Sequence, residues 1–268
     1  MSKRVELLII DPQVDFCDPK LGSLYVGGAE QDIARLTTMV DRLAPKLDDI
    51  HVTLDSHHLV DIAHPIWWRN SKGEHPNPFT QITAAEVENG EWTTTVPSLL
   101  PRSLAYLKQL EATQRYPFVI WPPHCRIGSQ GATVMPDLFD ALTRWEGNRF
   151  GLVDYVTKGS NIYTEHYSAI RAEVPDPKDP TTQVNTQLIQ TLMEADLILV
   201  AGEAGSHCLA NTVRDIATEF GDDKYVSKLI LLQDATSPVG GFEFLQDNFV
   251  TEMVARGMQL STTVDVLS

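Results

Sequence analysis

The chain has 268 residues and a formal net charge of −15, from 21 Lys and Arg against 36 Asp and Glu. Such an acidic chain is a poor partner for nucleic acid, and it shows no polybasic patch for a membrane surface. Its 43% of hydrophobic residues can form one large core or two modest ones. No apolar run is long enough to cross a bilayer, no signal peptide precedes the first strand, and three widely spaced cysteines do not indicate a disulfide framework. We therefore expect a cytoplasmic protein that binds neither nucleic acid nor membrane.

Apolar runs of strand type alternate with helical patterns along the chain. Val5 to Ile10 is almost continuously apolar, as in a strand that is buried on both faces. Apolar residues at helical spacing follow it, and the same alternation continues to the end of the chain. The predicted strands cover residues 5–10, 50–54, 118–121, 152–156, 197–201, 229–232 and 258–260, with helices near 33–43, 135–145, 184–194 and 209–217 and before 258. This order predicts an α/β fold with a doubly wound, mainly parallel sheet flanked by helices.

Residues 70 to about 114 interrupt this alternation. Glycines and prolines break the segment, and only Leu104, Leu107 and Leu110 have helical spacing. We interpret the segment as a long insertion over the main fold, of lid type, rather than as a domain of its own. The chain is thus expected to form a single domain, residues 1–268, that contains this insertion.

Reactive side chains follow five of the predicted strands. In parallel α/β sheets, ligands bind outside the carboxyl ends of the strands. The side chains that fall at such ends are Asp11, Asp55, His124, Lys158 and Cys208. Because five reactive groups at one edge are difficult to attribute to packing alone, we expect an active site there.

The clearest local pattern surrounds Cys208. A strand over residues 197–201 is followed by Gly202 and Gly205, which permit a tight turn, and then by a helix with Ser206 as its predicted N-cap. In the first helical turn, free backbone N–H groups and the helix dipole would lower the pKa of a thiol. The same N–H groups would stabilise an oxyanion. The alternative is a small buried cysteine that packs strand against helix.

Asp11 and Lys158 are the groups that a cysteine nucleophile needs. A buried Asp is able to take the thiol proton when a nearby ammonium tunes it, and the ammonium also stabilises the thiolate. A purely structural Asp–Lys ion pair is the alternative. His207 directly precedes Cys208 but is expected to point elsewhere, so the pattern does not indicate a Cys–His dyad.

Asp55, His57, His64 and His124 are candidate metal ligands. One carboxylate with two or three imidazoles suits zinc, iron or manganese and leaves positions open for water. Without context the Asp-x-His pattern is weak, because Asp55 could cap a turn and His57 could be a solvated loop residue.

Three aromatic side chains neighbour the candidate site residues in the sequence. They are Phe16, Trp121 and His207. Together they would form a flat pocket for an aromatic ring, although ordinary core packing is the usual role of Phe and Trp.

Five segments together resemble the isochorismatase-like cysteine hydrolases. They run in order over nearly the whole chain outside residues 70–114, and the set is far more specific than any member. The segments are Asp11 to Phe16, similar to D-x-Q-x-D-F; Asp55 to His57, similar to D-x-H; Trp121 to Cys125, similar to the W-P-x-H-C signature of the nicotinamidase branch; Lys158 and Gly159, similar to the K-G element; and Gly202 to Cys208, similar to the G-x-A-T-D-x-C nucleophile turn.

This resemblance implies a three-layer fold and a metal-containing amidohydrolase that converts nicotinamide to nicotinate and ammonia through a cysteine thioester. It implies Asp11 as the general base, Lys158 as its charged partner and Cys208 as the nucleophile. The resemblance further implies that the Ala204 and Cys208 N–H groups form the oxyanion hole, after a cis Glu203–Ala204 peptide bond. It implies one divalent metal, zinc ahead of iron or manganese, with the ligands Asp55, His57, His124 and His64. It also implies three substrate contacts: Phe16, Trp121 and His207.

Two departures from the family pattern bear on these expectations. Gly205 and Ser206 replace the usual Thr-Asp, and Glu203 occupies a position where an apolar residue is common. Another small-amide or carbamoyl hydrolase, and a non-catalytic metal- or ligand-binding relative, therefore stay open as alternatives. A metal-free isochorismatase is less favoured, because the metal-ligand pattern is present. The sequence also leaves open whether copies of the chain form a homo-oligomer.

Overall fold

The computed structural model describes residues 3–268, which contain eight strands and eight α-helices. None of these helices is long and apolar enough to cross a membrane. The strands are β1 (Val5–Ile10), β2 (Asp49–Asp55), β3 (Trp68–Asn70), β4 (Trp92–Thr94), β5 (Asp154–Lys158), β6 (Leu197–Gly202), β7 (Leu229–Leu232) and β8 (Gln259–Ser261). The α-helices are α1 (Val14–Cys17), α2 (Ala29–Leu43), α3 (Ala84–Glu88), α4 (Leu100–Thr113), α5 (Pro136–Arg149), α6 (Thr186–Glu194), α7 (Cys208–Glu219) and α8 (Glu243–Ala255). Short 3₁₀ turns cover Pro65–Trp67, Pro97–Leu99, Gln130–Ala132, Pro180–Thr182, Asp223–Lys228 and Gln233–Ala235.

A six-stranded parallel sheet forms the centre of the fold, in the order β5-β2-β1-β6-β7-β8. Every residue of β1 is buried, as its continuous apolar run predicts. From β1 the chain first adds β2 and β5 on one side and then crosses to add β6, β7 and β8 on the other. The strand order therefore reverses between β1 and β6, and such a switch point opens a crevice for ligands. The residues that follow β1 and β6 are Asp11 and the turn that leads to Cys208.

Helices flank the sheet, which confirms the predicted fold class. Helix α2 packs against α5, and α7 packs against α8. In α2 the apolar stripe predicted from the sequence is the buried face, formed by Ile33, Leu36, Met39, Val40 and Leu43. The 3.6-residue period places these side chains on one side of the helix, which then covers the sheet.

The segment predicted as an insertion contains β4, α3 and α4, and it begins at the end of β3. The antiparallel β3–β4 pair and the short helix α3 have no counterpart in the sequence prediction, whereas α4 contains the predicted leucine stripe. Ile82, Val87 and Leu107 of this segment belong to the same cluster of buried apolar residues as the sheet. The insertion therefore shares the main core.

The apolar segment 118–121, which the sequence predicts as a sheet strand, is not part of the sheet. Strand β5 occupies the position beside β2 instead. The segment bonds to residues 79–82 of the insertion, where the Ile120 N–H donates to the Thr80 carbonyl (2.8 Å). Its side chains are as buried as those of a core strand. The prediction is wrong because an apolar run reports burial and does not identify the backbone partner.

Candidate active site

Residues 202–208, here called the nucleophile turn, connect β6 to α7. Cys208 is the first residue of α7 and is buried. The predicted N-cap, Ser206, is wrong: His207 holds the N-cap position, and Ser206 Oγ instead accepts the Val239 N–H (3.0 Å). The one-residue offset arises because the Ser206 hydroxyl accepts a hydrogen bond from the neighbouring loop rather than from the helix.

The nucleophile turn leaves some of its backbone N–H groups free to bind an anion. The Glu203–Ala204 peptide bond is cis, as the family resemblance implied. The N–H groups of Glu203, Gly205 and His207 donate to carbonyl oxygens. Those of Ala204, Ser206 and Cys208 have no acceptor among residues 3–268, and of these three residues Ala204 and Cys208 line one pocket. Both can therefore donate to an anionic oxygen bound beside the thiol.

Lys158 lies at the centre of the candidate site, at the carboxyl end of β5. Its Nζ lies 2.8 Å from Asp11 Oδ2, 3.1 Å from Asp55 Oδ1 and 3.7 Å from Cys208 Sγ. Thr53 Oγ1 donates to the other oxygen of Asp11, and Asp11 is completely buried. The structure thus brings together the three residues predicted from the sequence to carry the chemistry.

Burial dominates the protonation of these three groups. It raises the pKa of the Cys208 thiol well above its usual range, although Lys158 opposes this. This result differs from the sequence expectation of a lowered thiol pKa, because the dipole of α7 acts on a group that has lost its hydration. Burial also raises the pKa of Asp11. For Lys158, burial disfavours the charged form, but Asp11 and Asp55 raise its pKa well above its usual range. A neutral thiol therefore lies beside a carboxylate that is a stronger base than a solvated Asp.

Asp55, His57 and His124 form a second group at the same edge of the sheet, here called the Asp–His cluster. Each offers one ligand atom, and these atoms lie within 4.8 Å of one another. Asp55 Oδ2 lies 2.9 Å from His57 Nε2 and 3.4 Å from His124 Nε2. Such convergence of one carboxylate and two imidazoles is the donor set of a divalent metal site.

The outer nitrogen of each histidine is held by the protein. His57 Nδ1 faces Asp61 Oδ2 (3.2 Å), and His124 Nδ1 faces the carbonyl of Pro122 (2.9 Å). With the proton on Nδ1 held by these acceptors, the Nε2 lone pair of each ring is available to a metal. Sequence reasoning did not identify Asp61; a carboxylate four residues after His57 was the available signal.

His64 lies beside this cluster, but outside the group whose ligand atoms lie within 4.8 Å of one another. Its ring centroid is 5.5 Å from that of His57 and 5.7 Å from that of His124. Its Nδ1 faces the carbonyl of Leu59, and its Nε2 is buried without a hydrogen-bond partner. Burial lowers the pKa of His64 to about 4, so the ring is neutral and able to act as a ligand.

Gly159 permits the close approach between β5 and the Asp–His cluster. Its φ is +88°, and a Cβ at this position would lie 2.7 Å from Asp55 Oδ1 and 3.2 Å from His57 Cε1. The lysine and glycine of the family-like K-G element thus have separate physical roles: one contacts Asp11, and the other leaves room for Asp55.

A pocket opens onto both groups. Cys208, Ala204 and the Asp–His cluster line it together with Phe16, Trp121 and His207, so all three predicted aromatic contacts lie in its wall. The His207 ring packs edge-on against Trp121, with a centroid distance of 5.4 Å. Burial lowers the pKa of His207 to about 3, which makes the ring a neutral wall element.

The sequence analysis missed a polar part of this wall that follows β5. Glu165, His166 and Tyr167 all line the pocket. Trp121 Nε1 donates to Glu165 Oε2 and to the Tyr167 hydroxyl oxygen, at 3.0 Å each. Burial raises the pKa of Glu165 to about 8. The three residues lie on a loop without a periodic pattern, and their nearness to the end of β5 was the only signal.

The parallel sheet, its order and the site at its switch point define an isochorismatase-like α/β fold. Solved structures that share this fold include the yeast nicotinamidase bound to the inhibitor nicotinaldehyde, with a TM-score of 0.66, 20% identity and coverage of 96% of this chain and 99% of that chain. A second is PnC1 from L. infantum in complex with nicotinate, with a TM-score of 0.60, 22% identity and coverage of 98% and 95%.

A third is the pyrazinamidase of Pyrococcus horikoshii in complex with zinc, with a TM-score of 0.55, 16% identity and coverage of 97% and 99%. No protein-family model and no curated protein sequence matches the chain. At these identities the similarity establishes the shared fold over almost the whole chain, as the resemblance of the five sequence segments implied.

Proposed function

We propose that this protein is a metal-containing cysteine amidohydrolase that converts nicotinamide to nicotinate and ammonia. The proposal depends mainly on one observation: Lys158 Nζ lies 2.8 Å from Asp11 and 3.7 Å from Cys208 Sγ, at a pocket that the Asp–His cluster also lines. The neighbouring structures support it, since they include a nicotinamidase and a pyrazinamidase, and two of them contain nicotinaldehyde or nicotinate. We also place this activity in the cytoplasm, in the salvage of pyridine nucleotides.

The first half of the proposed reaction forms a thioester. Asp11 takes the proton of Cys208 Sγ, and the thiolate attacks the carboxamide carbon. The N–H groups of Ala204 and Cys208 hold the oxyanion that develops on the carboxamide oxygen. Asp11 then returns its proton to the leaving nitrogen, so that the C–N bond breaks, ammonia departs and the acyl group stays on Cys208.

The second half releases nicotinate. A water molecule gives a proton to Asp11 and attacks the thioester carbon, again with its oxyanion at the two N–H groups. The C–S bond breaks, the proton returns to Cys208 Sγ, and nicotinic acid leaves and loses its carboxyl proton to solvent as nicotinate. Lys158 remains charged throughout and stabilises Asp11 as a carboxylate whenever the proton has moved away.

The residues of the Asp–His cluster fit one divalent metal. The supporting observation is the unpartnered, buried Nε2 of His64, next to two other Nε2 atoms that face the carboxylate of Asp55. We propose Asp55, His57 and His124 as ligands and His64 as a further ligand. Zinc is favoured over iron or manganese, because this donor set suits it and the Pyrococcus horikoshii neighbour contains it. The bound metal would supply a Lewis acid for a ring nitrogen.

The pocket walls explain why a pyridine carboxamide is the proposed substrate. Phe16 and Trp121 present flat apolar faces, while the Asp–His cluster provides the site for a ring nitrogen. A ring fixed at these two points directs its carboxamide at Cys208 without a separate hydrogen-bonding arm. A different small amide or a carbamoyl compound would need other contacts for its orientation.

The deciding experiment compares ammonia release from nicotinamide and from benzamide, which keeps the amide but lacks the ring nitrogen. We expect nicotinamide to be hydrolysed and benzamide to be a much poorer substrate. Chelation of the metal should weaken nicotinamide binding and slow turnover. The rate at which a small reagent alkylates Cys208 should change far less on chelation. Equal hydrolysis of benzamide, or active protein that contains no metal by elemental analysis, would refute the proposed role of the Asp–His cluster.

A further inference from the structure

The proposed mechanism does not use one carboxyl group of the nucleophile turn. Glu203 is completely buried. Its N–H donates to the Ile10 carbonyl (2.7 Å), and its Oε2 accepts the Ser237 N–H (3.1 Å). Its Oε1 is buried and has no donor among residues 3–268. A buried carboxyl oxygen without a donor is costly, so its surroundings must satisfy it in another way.

The group that faces Glu203 is a second carboxyl, that of Asp32 in α2, which is also buried. Asp32 Oδ1 accepts from the guanidinium of Arg35, and Asp32 Oδ2 accepts from the hydroxyl of Ser237. Both oxygens of Asp32 therefore already have hydrogen-bond donors, whereas Glu203 Oε1 has none. Two buried carboxyls in contact cannot both be ionised, so the proton between them belongs to Glu203. The raised pKa of Glu203, caused by burial and by Asp32, agrees with this assignment.

Ser237 connects this carboxyl pair to the rest of the nucleophile turn. Its hydroxyl donates to Asp32, its N–H donates to Glu203, and its carbonyl accepts the Gly205 N–H (2.9 Å). Helix α2 and residues on both sides of Ala204 are thus joined through one residue. The Ala204 N–H lies between two positions that these contacts fix.

We infer that Glu203 and Asp32 share one proton, and that this carboxyl pair holds the nucleophile turn in its catalytic position. Glu203 is then a positioning residue, which acts through Ala204 and Cys208. The kinetic part of this inference depends on the proposed function. A misplacement of about 1 Å at a reacting group costs on the order of a hundredfold in rate, so loss of the pair should lower kcat about tenfold to a hundredfold. KM should change little, because Phe16 and Trp121 lie on other segments.

The test compares Glu203→Gln with Glu203→Ala. Glutamine is neutral, donates an N–H to Asp32 and still accepts the Ser237 N–H, so Glu203→Gln should keep kcat within a few-fold of the native enzyme. Glu203→Ala removes both hydrogen bonds and should therefore show the whole decrease in kcat, about tenfold to a hundredfold. Glu6→Ala is the matched control: Glu6 is equally buried in β1 but has no contact with the turn, so its removal should lower stability and leave kcat unchanged.

Asp32→Ala and the double variant complete a cycle. If the two carboxyls act as a pair, one substitution should lower kcat and stability far less in a chain that already carries the other than in the native chain. Additive effects, an unchanged kcat in Glu203→Ala, or a Glu203→Gln variant as impaired as Glu203→Ala would each overturn the inference.

Two further measurements do not need activity. The infrared difference spectrum between native protein and Glu203→Gln should show loss of one protonated-carboxyl stretch at about pH 7, well above the usual range of a solvated Glu. Hydrogen exchange at residues 203–209 should be faster in Glu203→Ala than in Glu203→Gln. If native protein fails to hydrolyse nicotinamide but passes both measurements, the proposed function fails and the carboxyl pair stands. If the stretch is unchanged and exchange is equal in the two variants, the pair is refuted.

Discussion

Gly159→Ala tests the close contact between β5 and the proposed metal site. An L residue at a φ of +88° destabilises the folded state by about 1–2 kcal/mol through backbone strain. The new Cβ would also lie 2.7 Å from Asp55 Oδ1, whereas ordinary contact begins at 3.4 Å, so the carboxylate must retreat by about 0.7 Å (3.4 − 2.7). The same oxygen contacts Lys158, while its partner Oδ2 faces the two imidazoles. The substitution therefore disturbs a ligand and its supporting contact together.

Disturbance of contacts that orient metal ligands lowers metal affinity by about 10- to 100-fold, which corresponds to about 1.4–2.7 kcal/mol. We expect that loss for zinc in Gly159→Ala, measured by competition with a chelator of known affinity. Thermal unfolding followed by circular dichroism should show a lower Tm from the backbone cost, by roughly 2–4 °C per kcal/mol for a chain of about this size.

Gly73→Ala is the matched control. Gly73 has a φ of +83°, and a Cβ there would meet nothing within 4 Å. This variant should show the same backbone cost in Tm and native zinc affinity. Equal zinc affinity in Gly159→Ala and Gly73→Ala would show that the space at Gly159 does not matter for the site, and the assignment of Asp55 as a ligand would lose its support.

Two further predictions concern the nucleophile and the sheet. Cys208→Ala should abolish nicotinamide turnover while binding stays measurable by calorimetry, whereas Cys17→Ala should keep most activity; substantial hydrolysis by Cys208→Ala would exclude the thioester mechanism. His51 Nδ1 lies 2.9 Å from Asp154 and its Nε2 lies 3.4 Å from buried Glu6; burial lowers the His51 pKa, but these carboxylates raise it above 6.5 overall. The stability that protonated His51 contributes is thus complete below pH 6.5 and is lost as the pH rises through the raised pKa. His51→Gln should therefore be destabilised by about 1–3 kcal/mol at about pH 6 and by less at about pH 9 in urea unfolding, and a difference that grows with pH would contradict this reasoning.

The sequence determined the layered architecture because its signals there are local. A strand buried on both faces needs a continuous apolar run, and Val5 to Ile10 has one. A helix that covers a sheet needs an apolar stripe of period 3.6, and α2 has one. Asp11, Asp55, Lys158 and Cys208 follow predicted strands in the sequence. Because the carboxyl ends of parallel strands lie at one edge of the sheet, the sequence also indicated that these side chains would lie close together.

Tertiary structure alone decided the features that depend on distant partners. The run 118–121 is apolar enough for the sheet, but residues 79–82 provide its hydrogen bonds. Burial in the finished pocket, rather than the local helix dipole, sets the direction of the Cys208 pKa. Glu203 faces Asp32, which lies 171 residues earlier in the sequence, and no local sequence pattern predicts such a contact. Local spacing fixes which face of an element is apolar, whereas hydration and hydrogen-bond partners are known only once the elements have packed.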